Sequence, residues 1–263
     1  MADVADLLAA YDEQLRDVAE VLSADHWERH GPLIWALYPS GRGFVTYRTL
    51  DGYAGSRLDE LVAETVEHYS GTPDVSEFEW KTRGHDDVPE LDAVLRRHGL
   101  EPDDVESVMI GRAEDLAVDV PLPTGVTLRR VTAPDDVRRM VAMQDEVFGD
   151  PHPGMADELV QRLAERDDGM EMWVAEADGE IVSAGRVEPV EGTDFAGIWG
   201  GATRPQWRGR GIYRALTAER ARSALRRGVT YINSDSTEYS RPILERSGFL
   251  KVTTTTPYEW RRP

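Results

Sequence analysis

The chain of 263 residues contains no cysteine. That absence excludes disulfide frameworks, thiolate metal sites and cysteine nucleophiles together. Lysine is nearly missing as well: Lys81 and Lys251 stand alone beside 28 arginines. No stretch approaches the ~18 consecutive apolar residues of a membrane span, and the start, Met1-Ala2-Asp3-Val4-Ala5-Asp6, is acidic where a secretory signal is basic. These features lead us to expect a cytoplasmic protein that contacts no membrane. Positive charge is in deficit, 30 basic residues against 49 acidic for a net of −19. Such a balance opposes nucleic-acid binding.

The charge is uneven along the chain. Residues 1–125 hold 27 acidic and 10 basic residues, a balance of −17, whereas the remainder is close to neutral. Within that second part Arg204, Arg208, Arg210, Arg214, Arg220, Arg222, Arg226 and Arg227 crowd together with Glu219 as the sole acid among them. A positive island on an acidic chain is where an anionic ligand is expected. The acidity of the first part is a weak pointer to a cationic acceptor, and equally to solubility in salt.

Length and pattern predict two modules. The segment 117–125 has two prolines, a glycine and no amphipathic period, so it reads as a linker between a first module at 1–116 and a second at 126–263. In the second module the pattern predicts a strand at 126–131 and a helix at 133–148 capped by Thr132 and buried through Val137, Met140, Val141 and Val147. A helix at 155–166 follows. Strands at 171–176 and 180–187 are joined by Asp178-Gly179, a strong hairpin signal. Then come a strand at 196–203, a helix at 211–227, a strand at 229–233, a helix at 241–247 and an extended end at 250–260. The expected class is α/β with a mixed sheet and helices on its faces. The first module reads as an incomplete copy: strand 43–50, helix 57–69, strand 75–81, helix 88–98 and strand 105–111. His98-Gly99-Leu100 matches Ser247-Gly248-Phe249, each glycine allowing the left-handed turn after a helix. Helices at 4–22 and, more weakly, 25–30 are expected ahead of it, with Trp27, Trp35 and Tyr38 packing its core.

The most informative segment is Gly200-Gly-Ala-Thr-Arg-Pro-Gln-Trp-Arg-Gly-Arg-Gly-Ile-Tyr213, lying between a predicted strand and a predicted helix. Gly209 and Gly211 admit close backbone approach, and the opening of a helix presents free N–H groups and partial positive charge to a phosphate. Arg208 and Arg210 add charged donors. A P-loop is excluded because no Gly-Lys-Ser/Thr follows. A dinucleotide fingerprint has two of its glycines and an acid at Asp235, but Arg214 takes the third glycine position and Pro205 interrupts the preceding strand.

Gln206-Trp-Arg-Gly-Arg-Gly211 resembles the Gln/Arg-x-x-Gly-x-Gly/Ala acyl-CoA signature of the GNAT superfamily of N-acetyltransferases. Thr203-Arg-Pro205 and Ser240-Arg-Pro-Ile-Leu-Glu-Arg-Ser-Gly-Phe249 resemble the strand exit and last helix of that family. The resemblance covers about 126–263, with the first module as a degenerate half in a tandem arrangement. It implies the GNAT acyl-CoA N-acyltransferase fold and acetyl-CoA as co-substrate. By resemblance, the backbone of Gly201, Ala202 and Thr203 pairs with the pantetheine arm. The amides of Arg208, Gly209, Arg210, Gly211, Ile212 and Tyr213 hold the pyrophosphate, and Thr237 and Ser240 contact CoA. The acceptor is a primary amine of a small molecule or peptide, acetylated directly in a ternary complex. A non-catalytic acyl-CoA-binding module is the alternative.

An alkylammonium of pKa ~10.4 gives up its proton at pH 7 at a cost of roughly 4.6 kcal/mol. Glu188 is the first candidate for a general base and Asp194 the second. The tyrosine that many GNAT enzymes use as an acid is replaced by Leu244, and neither Tyr239 nor Tyr258 fits that position. His152, between two predicted helices, is an acceptor-contact candidate. The six histidines show no zincin spacing, so no metal is expected. Monomer and homodimer are equally open.

Overall fold

The computed structural model describes residues 3–149, 151, 153–165 and 168–262. In chain order the first elements are α1 (Val4–Gln14), β1 (His26–His30), β2 (Leu33–Leu37), β3 (Gly43–Tyr47), α2 (Ser56–Gly71), β4 (Glu77–Arg83), α3 (Leu91–Arg97), β5 (Glu101–Pro102) and β6 (Glu106–Arg112). After them come α4 (Ala113–Leu116), β7 (Val126–Val131), α5 (Pro134–Phe148), α6 (Met155–Glu165), β8 (Glu171–Ala177), β9 (Glu180–Pro189) and β10 (Phe195–Thr203). The last are α7 (Ile212–Arg226), β11 (Tyr231–Ser236), α8 (Arg241–Ser247) and β12 (Leu250–Arg261). The expected class is observed: open mixed sheet with helices on it.

Two compact units emerge. Unit 1 comprises Met1–Met109, Asp235–Pro242 and Lys251–Pro263; unit 2 comprises Ile110–Ser234 and Ile243–Leu250. The final strand, expected to close the second module, therefore packs with unit 1, where it runs antiparallel to β4 from Thr255↔Arg83 to Arg261↔Glu77.

In unit 1, β1, β2 and β3 form an antiparallel meander and β4 joins β3 in parallel. The sheet buries Val45, Tyr47, Phe78, Trp80 and Trp260 against Leu58, Leu61 and Val62 of α2 and Val94 and Leu95 of α3. Two expectations fail here. The 25–30 segment is strand β1, because its backbone pairs with β2 through His26↔Leu37 to His30↔Leu33, and ladder bonds override a weak helical period. The 4–22 helix stops at Gln14, since Asp17 at φ +72° interrupts it and only a 3-10 turn, Asp17–Glu20, follows. Trp35 is buried as expected, whereas Trp27 is exposed.

In unit 2, β7, β8, β9 and β10 make an antiparallel meander and β11 joins β10 in parallel. The Asp178-Gly179 turn has φ +51° and +82°, the left-handed pair a tight hairpin needs. Helices α5 and α6 cover one face through Val137, Met140, Val141 and Leu159 against Met172, Val174 and Ala184. The face carrying Ala175, Ala177 and Val182 receives Ile212 and Leu216 of α7. The N-cap of α5 is Ala133 and has no side-chain cap bond, so Thr132 does not serve; Pro134 sits at the first helical position instead.

Candidate functional site: a parted strand pair and a helix opening

The site begins with strand β10. It pairs with β11 through Phe195↔Tyr231, Ala196↔Ile232 and Gly197↔Asn233, and the pairing ends there. Beyond Gly197 it stays bound to β9, with a bulge between Trp199 and Ala202. Gly200 sits in that bulge at φ +61°, and its carbonyl accepts a 2.5 Å bond from Gln144 Nε2 of α5. Beyond Gly197 the edge of β10 facing away from β9 has no ladder partner, and its first carbonyl, that of Ile198, accepts from Ser234 Oγ of β11 at 3.3 Å, so the open stretch starts after Ile198. Of the three residues expected along that edge, Ala202 has its carbonyl engaged by Ser183 Oγ at 2.7 Å and Thr203 by Arg208 Nε at 3.0 Å. Gly201 lies against the ring of Tyr213, which a Cβ there would meet at 2.7 Å.

Past β10 the chain makes a 3-10 turn at Pro205–Trp207, then two left-handed glycines, Gly209 at φ +72° and Gly211 at φ +81°, and enters α7. No side chain caps this helix. The first bond to its opening turn is Ala215 N–H to Gly211 O at 2.9 Å. Among the described residues, the six consecutive N–H groups from Gly209 to Arg214 therefore have no backbone acceptor, more than the four a helix end leaves by necessity. The amide of Arg208, expected in the same set, donates instead to Pro205 O at 3.2 Å. It is the one amide of the expected six already spent on the protein.

The arginine island divides. Arg204 pairs with Glu146, Arg222 with Asp119 and Glu219, Arg226 with Glu219, and Arg227 with Glu171. Arg220 is fully buried, donating to Leu216 O at 3.2 Å, Thr217 Oγ1 at 3.2 Å and Arg186 O at 3.4 Å; burial pushes its pKa down. Within the island, Arg208, Arg210 and Arg214 are the members that are exposed and have no carboxylate partner among the described residues, Arg210 stacking over Trp207 at 4.9 Å. Arg210 and Arg214 belong to the run of open amides and Arg208 directly precedes it.

Other candidates are scattered. Glu188 accepts from Arg162 Nη1 at 2.7 Å on one oxygen and from Arg186 Nε on the other, so both are occupied by guanidinium donors. Asp194 uses its carbonyl to receive the amides of Thr230 and Tyr231, each at 2.9 Å. Leu244 is buried. Thr237 and Ser240 belong to the unit 1 segment, Thr237 exposed and Ser240 half-buried, their hydroxyls 3.3 Å apart. Also in unit 1, Tyr258 donates to Asp92 Oδ1 at 2.5 Å and its pKa is pushed up to about 12, chiefly by burial. Tyr239 is exposed, and His152 lies outside the described residues.

Sequence reasoning counted Arg220 with the island and overlooked Asn233 altogether. The inward course of Arg220 could have been suspected from Gly185, where a Cβ would stand 2.6 Å from its Nη1. Asn233 had no signal in the sequence.

An open mixed sheet with a parted parallel pair thus leads into an uncapped helix opening. The sequence profile of the Acetyltransferase (GNAT) family matches residues 137–249 of this chain. Among solved structures, a GCN5-related N-acetyltransferase from Kribbella flavida is similar at TM-score 0.70 and 15% identity, covering 98% of this chain and 96% of that one. A GCN5-related N-acetyltransferase from Sphaerobacter thermophilus matches at TM-score 0.62 and 16% identity, covering 96% and 94%. A tandem GNAT protein from the clavulanic acid biosynthesis pathway matches at 0.60 and 14%, covering 98% and 96%. At these identities the likeness is one of fold. No curated protein matches the chain.

Proposed function

We propose that the chain is an acetyl-CoA-dependent N-acetyltransferase acting on a primary amine, with the coenzyme seated at the opening of α7. The observation that carries this reading is the run of six N–H groups without an acceptor, from Gly209 to Arg214, beside three exposed arginines without carboxylates. A helix opening of this kind suits a diphosphate: the amides donate, the dipole contributes roughly 0.3–1 kcal/mol, and the arginines add charged donors. The open edge of β10 at Gly201 suits an amide-bearing arm laid beside it as a further strand.

The coenzyme supplies an acyl thioester. The amine nitrogen forms the new C–N bond, the C–S bond breaks, and the nitrogen gives up one proton as the thiolate is protonated. The protein's part is to orient the two substrates, a contribution that can replace a strong base. For Glu188 to take the proton it must first release one of its guanidinium partners.

The buried Leu244 and the occupied Glu188 favour a second reading, a non-catalytic acyl-CoA-binding module. One assay separates them. Acetyl-CoA raises the melting temperature under both readings, whereas release of free thiol on adding a panel of primary amines occurs only for the enzyme. Thermal stabilisation without thiol release across the panel transfers the assignment to the binding module. Absence of stabilisation removes both.

A further inference from the structure

We infer that the carboxamide of Asn233 holds the attacking nitrogen of the acceptor, accepting one of its N–H groups through Oδ1. This rests on the enzymatic reading above. Asn233 is the last residue of β11 that pairs with β10, so it stands at the point where the two strands part. It is 7% exposed, and its Oδ1 is sealed from solvent with no hydrogen-bond partner. Among the described residues of unit 2 it is the one buried side-chain polar atom left in that condition. An orphaned acceptor of this kind is destabilising, and buried polar groups are otherwise satisfied.

The neighbours make it a site. Gly197, the partner of Asn233, is also the register partner of Glu188, and Trp199 is that of Arg186. Residues paired across a pleated sheet share a face, as do positions two apart on one strand. Asn233, Gly197, Trp199, Arg186 and Glu188 therefore line one face at the parting. Gly197 carries no side chain, and the space its Cβ would fill is taken by the indole of Trp199, whose Nε1 lies nearest. That Nε1–H has no acceptor among the described residues. An unpartnered acceptor and the indole of Trp199 thus lie on one face where the strands part.

The two reacting groups differ in what they can offer. A thioester carbonyl has no proton to donate, so it cannot satisfy Oδ1. An amine nitrogen has N–H groups to spare and does. The carboxylate on the same face cannot take this role without losing Arg162 or Arg186. Asn233 does not remove the proton; its acceptor oxygen directs the nitrogen so that its lone pair faces the acyl carbon.

The test uses the full chain and an amine found active in the thiol-release panel. Asn233→Ala and Asn233→Ser are measured for acetyl-CoA affinity by calorimetry, for amine affinity in the presence of CoA, and for steady-state constants. We expect acetyl-CoA affinity within twofold of wild type, amine affinity weaker by about tenfold or more, and kcat/KM for the amine lowered at least as much. Asn233→Asp places a carboxylate beside the amine and favours its protonated form, so the acidic limb of kcat/KM against pH moves upward by about one unit. A merely structural asparagine moves no such limb. Unchanged amine affinity in a folded Ala or Ser variant overturns the inference and marks Oδ1 as a water site. An equal loss of acetyl-CoA affinity overturns it in favour of a coenzyme contact. If wild type releases no thiol with any amine, the enzymatic reading itself fails; an active wild type matched by Asn233→Ala sinks this inference alone.

Discussion

Gly209 and Gly211 hold left-handed backbone at the mouth of α7, and a Cβ at Gly209 would meet no atom within 4 Å. Their requirement is conformational: a β-branched residue at such φ is strained by about 1–2 kcal/mol, and relief rotates the amides out of their common direction. Changing both to valine is expected to weaken acetyl-CoA binding at least tenfold in calorimetry while the far-ultraviolet dichroism stays native. Unchanged affinity would remove this turn from the coenzyme site. Glu188 makes the opposite demand. Since both its oxygens already serve Arg162 and Arg186, Glu188→Gln is expected to keep kcat/KM within about tenfold and to lower the melting temperature. A hundredfold loss confined to kcat, with the acidic limb of the pH profile gone, would instead make this carboxylate the base.

At the scale of elements, β9 and α7 are tied by one unusual pair. Arg220 reaches down from α7 onto Gly185, the one residue type with room beneath it, because a Cβ would stand 2.6 Å from Nη1 and 3.0 Å from Cζ. Gly185→Ala should therefore destabilise the protein by about 1–3 kcal/mol, an overpacking cost seen as a lower urea midpoint with unchanged slope. A neutral result would mean that the arginine moves freely. Legibility followed the same physics. The strand at 126–131 and the helix at 241–247 were readable to the residue, since turn chemistry and apolar period agree there. So were the glycines after α3 and α8, Gly99 at φ +83° and Gly248 at φ +108°. Strand β1 was not legible: four of its five residues are exposed, and nothing in an exposed edge strand alternates. The arginine island misled in part. Spacing shows that charges are near one another but not that Arg204, Arg222 and Arg227 have acids from distant parts of the chain and Arg220 is buried. The loop was legible because its chemistry lies in the backbone and in glycines; Asn233 was not, because a buried asparagine becomes informative only when its partners can be counted.

For the molecule as a whole, net charge of −19 suggests gain from acid, yet unit 1 contains two carboxyls with opposed demands. Glu20 is buried, which raises its pKa, but Arg83 and Lys81 beside it outweigh that and lower it to about 2. Its folded pKa lies below its unfolded value, so its stabilisation is complete above about pH 4.5 and drains away as pH falls toward 2. Glu106 runs the other way. Burial first, then the charge of Asp235, raises it to about 7, against the opposing pull of Lys81. Between pH 4.5 and 7 the folded chain keeps a proton on Glu106 that the unfolded chain has lost, so stability declines as pH rises through that window. As far as these two carboxyls decide it, stability rises as pH climbs from about 2 to 4.5 and declines from there to about 7. Glu106→Gln, which cannot ionise, should flatten the decline between pH 5 and 7 while leaving the acid limb set by Glu20 in place. The check is the melting temperature of both proteins at unit steps from pH 3 to 8. Parallel curves for variant and wild type above pH 5 would show that Glu106 ionises in the folded chain as it does in water.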